Sequence, residues 1–212
     1  MRLRFDKKLA ELNQAMITMG GLVTSTITLT ADALINQDVA KAAQAITLET
    51  EIDEAERKIE RKCTNLLMQY QPVARDLRLV SAALKMITDM ERIGDQCADI
   101  CHIAIQMAGE PYFKDLVIIP QMAETTIDMV TKSLAAFVNR DAVLAREVIA
   151  QDDALDKLFL QVKVEVARTL TSAPETAEQC LRFLMVAKYF ERIGDHSVNI
   201  AERVQYAVTG KM

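Results

Sequence analysis

A pentapeptide that occurs twice constrains this chain more than any other feature. Glu91-Arg92-Ile93-Gly94-Asp95 returns as Glu191-Arg192-Ile193-Gly194-Asp195, 100 residues downstream. Ile100 is matched by Ile200 at the same offset. Upstream, Asn36 and Asp38 match Asn139 and Asp141, and Glu49 and Asp53 match Asp152 and Asp156, here at an offset of 103. Self-similarity over such a distance means one structural unit used twice. The change of offset places a small length difference in the loops. Boundaries of 1–110 and 111–212 are expected for the two copies.

The punctuation says what each unit contains. Pro72, Pro111, Pro120 and Pro174 divide the chain, with Asn36-Gln37-Asp38 and Asn139-Arg140-Asp141 as polar breaks between them. The intervening segments read as helices near 6–35, 38–70, 75–109, 114–138, 141–171 and 175–208. Helices of this length suit a bundle. Gly (6) and Pro (4) are scarce, Trp is absent, Met (11) is common, and no strand-type alternation appears. The expected fold is all-α: two tandem antiparallel three-helix bundles, six helices in all, side by side and related by the internal repeat as a pseudo-twofold. With 212 residues, half of them apolar, the chain is long enough to bury a core.

Several function classes drop out. The formal charge is 25 − 30 = −5, which gives no basic footprint for a nucleic acid. No run approaches the roughly 18 apolar residues of a membrane span. The basic N-terminus has no apolar stretch behind it, so it does not read as a signal peptide. Four cysteines without a Cys-x-x-Cys pair read as reduced thiols of a cytoplasmic protein. Neither a Gly-x-Ser-x-Gly nor a P-loop is present, so nucleophilic and nucleotide chemistry find no support.

The carboxylates carry the candidate chemistry. In the third helix of the first half, Glu91, Asp95 and Asp99 stand at i, i+4 and i+8 along one stripe, at the edge of the apolar face. On the far side Arg78, Lys85, Arg92 and Gln96 read as a solvated face. Glu191, Asp195 and Asn199 repeat the stripe in the second half. Acids four residues apart repel, so a basic neighbour or a bound cation must compensate. The second helices add Glu49 with Asp53 and Asp152 with Asp156, also at i, i+4. Side-by-side packing of helices two and three would converge four or five oxygen ligands. Such a set suits Mg²⁺, Mn²⁺, Fe or Ca²⁺. Gly94 and Gly194 interrupt their helices at about 1 kcal/mol each relative to Ala, either for close helix approach or to leave room beside the acids. Glu56 and Glu60 extend the first stripe, but Phe159 stands in the place of Glu56, so both read as solvated charge.

Alternative assignments are weaker. A carboxylate-bridged di-iron enzyme needs two Glu-x-x-His motifs, and neither His102 nor His196 has one. Cys97, Cys101 and His102 are zinc-type ligands, yet Ser197 and Ala201 replace the cysteines in the second copy, so a core role is expected. Met16, Met19, Met86, Met90, Met122 and Met129 are read as core filling, with an adaptable docking surface as the alternative.

With both E-R-I-G-D segments in place, the chain resembles the PhoU family of phosphate-signalling regulators. Met19-Gly20-Gly21, Asn36-Gln37-Asp38, Gln71-Pro72, Ala74 and Asp76-Leu77-Arg78 fit the same pattern, which spans the whole chain. The resemblance implies a non-enzymatic cytoplasmic regulator that restrains the phosphate-starvation response. It would couple a Pst-type phosphate ABC transporter to a PhoR-type sensor histidine kinase, act as a homodimer, and meet the membrane through these partners only. It further implies bound metal ions or multinuclear clusters, iron among them, with Zn, Mn or Mg as alternatives. The implied ligands are Glu49, Asp53, Glu91, Asp95 and Asp99 in one half, and Asp152, Asp156, Glu191, Asp195 and Asn199 in the other. Asn199 lowers the charge of the second set.

Overall fold

The computed structural model describes residues 2–112 and 116–211. Six α-helices account for nearly all of them: α1 (Arg2–Asn36), α2 (Val39–Tyr70), α3 (Ala74–Met107), α4 (Ile118–Asn139), α5 (Ala142–Ser172) and α6 (Ala177–Thr209). A 3-10 turn, Pro174–Thr176, leads into α6. No strand occurs among the described residues, and no helix is long and apolar enough to cross a membrane.

The two polar breaks build the same turn twice. Gln37 and Arg140 both adopt positive φ, at 53° and 54°. The amides of Asp38 and Asp141 reach back to Ala33 O and Ala136 O, each at 2.9 Å, which is the six-to-one bond of a Schellman ending. The same two aspartates then cap the next helix. Asp38 accepts from the Lys41 amide, and Asp141 from those of Val143 and Leu144. Helix four starts later than the punctuation suggests. The expected start at 114 falls outside the described residues, and Leu116 and Val117 are not helical. Pro120 lies inside the first turn of α4, where its missing N–H has no intrahelical acceptor to lose.

Within each half all three helices touch one another. Between halves α1 meets α4 and α3 meets α6. Each inter-half contact thus joins equivalent helices, as a pseudo-twofold requires. The α3–α6 seam is reciprocal in detail. Asp89 Oδ1 meets His196 Nδ1 at 2.9 Å and accepts from Asn199 Nδ2 at 3.0 Å. At the other end Tyr189, the equivalent of Asp89, sits beside Asp99, the equivalent of Asn199. Because α3 is covered by α6 as well as by α1 and α2, Gln96 is buried rather than solvated. Helical stripes such as Leu12, Met16, Met19, Val23 and Ile27 on α1 fill one continuous core. All six methionines singled out above are buried, so they fill the core and offer no docking face.

Candidate metal centre

Gly94 brings the second and third helices of the first half together. A Cβ at this position would stand 3.3 Å from Ile52 Cδ1 and 3.7 Å from Glu49 Cγ. The missing side chain therefore allows the close approach and, by the same step, presents Glu49 to α3. Glu49 and Asp53 from α2 and Asp95 from α3 each offer an oxygen, and these oxygens lie within 4.8 Å of one another. All three residues are half-buried. This is the one such metal-sized group of acids, histidines or cysteines among the described residues. Burial, then the Asp53 and Asp95 charges, push the Glu49 carboxyl above its ordinary range. Glu91 rises as well, through burial first and Asp95 second. Three convergent carboxylate oxygens are the donor set of a hard or borderline cation.

Arginines partly neutralise the group. Arg92 donates through Nη1 to Asp95 at 3.0 Å and lies 3.5 Å from Glu91, while Arg57 stands 3.7 Å from Asp53. These pairs are largely exposed and stabilise little. Glu56 departs from the sequence reading. It is half-buried, accepts weakly from the Thr88 hydroxyl, and its carboxyl is raised by burial and then by Glu60.

The second half repeats the approach more tightly. A Cβ at Gly194 would fall 2.3 Å from Leu155 Cδ2 and 3.5 Å from Asp152 Oδ1. Asp152 is pushed up to about 6 by burial, with Asp156, Asp195 and Glu191 adding repulsion. Asp195 rises through burial and the neighbouring Glu191, against the pull of Lys188. Lys188 pairs with Glu191 and lies 5.5 Å above the Phe159 ring, so a cation and an aromatic occupy the places of Thr88 and Glu56. Asp99 and Asn199 join neither group, since both face the α3–α6 seam. The zinc-type donors do not converge either. Cys97 and Cys101 are buried with raised thiol pKa values, whereas His102 is exposed. His196 is held by Asp89.

The PhoU-domain family model matches this chain twice, over residues 16–104 and 119–204. The chain belongs to the PhoU family. Among its relatives, proteins of Aquifex aeolicus and Clostridium acetobutylicum are both named phosphate-specific transport system accessory protein PhoU homolog. The first is 35% identical, covering 90% of this chain and 86% of its own length. The second is 34% identical, covering 98% and 95%. The crystal structure of PhoU from Pseudomonas aeruginosa superimposes with a TM-score of 0.95 at 32% identity, over 98% of this chain and 100% of that one. The phosphate transport system regulatory protein PhoU from Streptococcus pneumoniae gives 0.90 at 28% identity, over 98% of each chain.

In this PhoU chain the residues that sequence reasoning passed over are Asp89 and Lys188. Lys188 had a signal, a cation three residues before Glu191 on the same helical stripe. Asp89 had none, because its partners lie on the other half of the molecule, more than 100 residues away.

Proposed function

We propose that this protein is an accessory regulator of a phosphate-specific transport system and that its acidic centres hold metal ions. The observation that carries the reading is the family match in both halves, joined to relatives whose names describe accessory and regulatory proteins of phosphate transport. In this role the chain acts by docking, without an active site of its own. It works at the cytoplasmic face and as a homodimer. It links the phosphate ABC transporter to a sensor histidine kinase and restrains the starvation response while phosphate is plentiful.

The carboxylates fit the metal that such a role implies. Glu49, Asp53 and Asp95 would hold it in the first half, with Glu91 beside them, and Asp152, Asp156, Glu191 and Asp195 in the second. Asp99 and Asn199 enter as residues that position the seam between the halves. A shared cation removes the repulsion between opposed carboxylates and ties the second helix of a unit to its third. The chain's own part is to hold these oxygens at the rim of the core, where Gly94 and Gly194 let the helices close.

Tagged protein should recover both the transporter ATPase and the kinase from detergent-solubilised membranes, more strongly in phosphate-replete than in starved cells. Metal analysis of the same protein should find Fe, Mn, Zn or Mg. Absence of both partners would overturn the regulatory reading. Absence of metal together with an unchanged melting curve on adding Mn²⁺ or Fe²⁺ would mean that Arg57, Arg92 and Lys188 alone neutralise the acids.

A further inference from the structure

The repeat supplies its own control for which surface residues the fold requires. On α5, Leu160 and Val164 are 56% and 43% exposed, and on α6, Leu181 and Met185 are 54% and 44% exposed. Each pair is spaced i, i+4 and so lies on one helical face. The two helices pack side by side, and Lys188, on the stripe of Leu181 and Met185, reaches across to the ring of Phe159, one residue before Leu160. At the equivalent positions of the first half stand Arg57, Arg61, Ser81 and Lys85, all exposed. The same scaffold thus folds with charged or polar residues at all four places. The apolar side chains of the second half serve no packing need that the first half shares.

The surrounding charge is changed as well. Glu54, Glu60 and Asn65 of the first half become Lys157, Lys163 and Arg168. These three are exposed, and no ion pair involves them among the described residues. In a chain of net charge −5, Lys157 and Arg168, together with Lys163 over the Phe159 ring at 4.5 Å, therefore border exposed aliphatic groups in one half, with Glu165, the counterpart of Lys62, as the acid among them.

We infer that the α5–α6 outer face of the second half, centred on Leu160, Val164, Leu181 and Met185, docks an acidic amphipathic helix of another protein. Aliphatic side chains on one side of such a helix meet the four exposed apolar groups, and its flanking carboxylates meet Lys157, Lys163 and Arg168. An anionic bilayer suits the face less well. A flat anionic surface would also meet the exposed Asp153 and Asp156 that precede Lys157, whereas a peptide can set its carboxylates opposite the cations one by one. The outer face of α2 in a second copy offers no matching stripe, because it mixes Glu51, Glu54 and Glu60 with Arg57, Lys58 and Arg61.

A displayed library of helical peptides of about 16 residues, with one face varied among Leu, Ile, Met and Phe and its flanks among Glu, Lys and Ser, lets the surface choose. Enrichment of Glu flanks is expected. Binding of the selected peptide should weaken at least about tenfold in Leu160→Glu/Val164→Glu and stay unchanged in Ser81→Glu/Lys85→Glu, the first-half equivalents of Leu181 and Met185. The first half already folds with charge at these places, so the second-half variant should melt like the parent. Four outcomes overturn the proposal: Lys-flanked or random selection, binding indifferent to Leu160→Glu/Val164→Glu, Leu160-dependent adsorption to phosphatidylglycerol vesicles without peptide binding, or Leu160-dependent self-association.

Discussion

The two acidic centres are built on the same three-helix frame and differ in what surrounds them. In the first half Glu56 enlarges the acidic group, and Arg57 and Arg92 reach it from the solvent side. In the second half Phe159 takes the place of Glu56, and Lys188 is the cation, lying beside the aromatic ring and against Glu191. The first group is the more convergent, with three oxygens within 4.8 Å. The second is the more strained by desolvation, with Asp152 pushed up to about 6. Duplication has preserved the backbone approach at Gly94 and Gly194 while the charge balance around it has drifted. The acids define the place, and the neighbours set how much each place gains from a cation.

The difference between the halves is open to experiment. Glu49→Gln combined with Asp53→Asn removes two of the three convergent ligands, and loss of outer-shell partners alone typically costs 10–100-fold in metal affinity. We expect about a 100-fold loss at the first centre and none at the second, read by titration calorimetry with Mn²⁺. Equal losses at both would show one coupled site.

Gly194→Ala should destabilise by about 1–2 kcal/mol, because the new methyl group meets Leu155 Cδ2 at 2.3 Å in a packed layer, an overlap that about 1 kcal/mol of helix propensity offsets only in part. Gly94→Ala meets Ile52 Cδ1 at 3.3 Å, and about 1 kcal/mol of helix propensity offsets that crowding. Urea denaturation of the two variants should rank them in that order. If Gly94→Ala proves the worse, the tighter approach in the second half is not rigid.

The caps allow a smaller contrast. Asp141 accepts from two amides and Asp38 from one. Asp141→Ala should therefore cost about 1 kcal/mol or somewhat more, and Asp38→Ala less, as thermal melts would register.

The smallest expected effect is that of pH on the metal-free protein. The folded-state pKa of Asp152, about 6, lies above its ordinary value of 3.8. The native state therefore takes up this proton first, and the group penalises the fold above about pH 6. That penalty is relieved as the pH falls through 6 toward 4. Asp152→Asn should melt higher than the parent at pH 7.5 and lose its advantage by pH 4.5. Partial exposure keeps the effect modest. A parent protein whose advantage over Asp152→Asn grows toward high pH would reverse the assignment.

Much of this architecture was legible in the sequence because a repeat and a 3.6-residue period are both one-dimensional signals. The six helices follow from spacing, and the meeting of Glu49/Asp53 with the acids of the third helix follows once helices two and three are set side by side. What was not legible depends on the packing of one half against the other. Gln96 read as solvated because it shares a polar face with Lys85 and Arg92, and nothing in the local pattern shows that α6 covers it. Asp99 followed Glu91 and Asp95 at i+4 steps, but eight residues advance a helix by about 80° beyond two full turns. That rotation carries Asp99 toward Tyr189 and away from Glu49. Glu56 read as free charge because Thr88, which sits over it, is a full helix away in sequence.

The α3–α6 seam has a consequence for how the chain assembles during synthesis. Asp89 with His196 and Asn199 at one end, and Tyr189 with Asp99 at the other, fit only when a first half meets a second half. Two first halves would set Asp89 against Asp99 at both ends, carboxylate to carboxylate. Two second halves would set Tyr189 against His196 and Asn199 and leave no acid for the imidazole. Divergence at three pairs of equivalent positions, 89/189, 96/196 and 99/199, makes the recognition one-directional, so that a nascent first half matches its own sequel and mismatches the first half of a neighbouring chain.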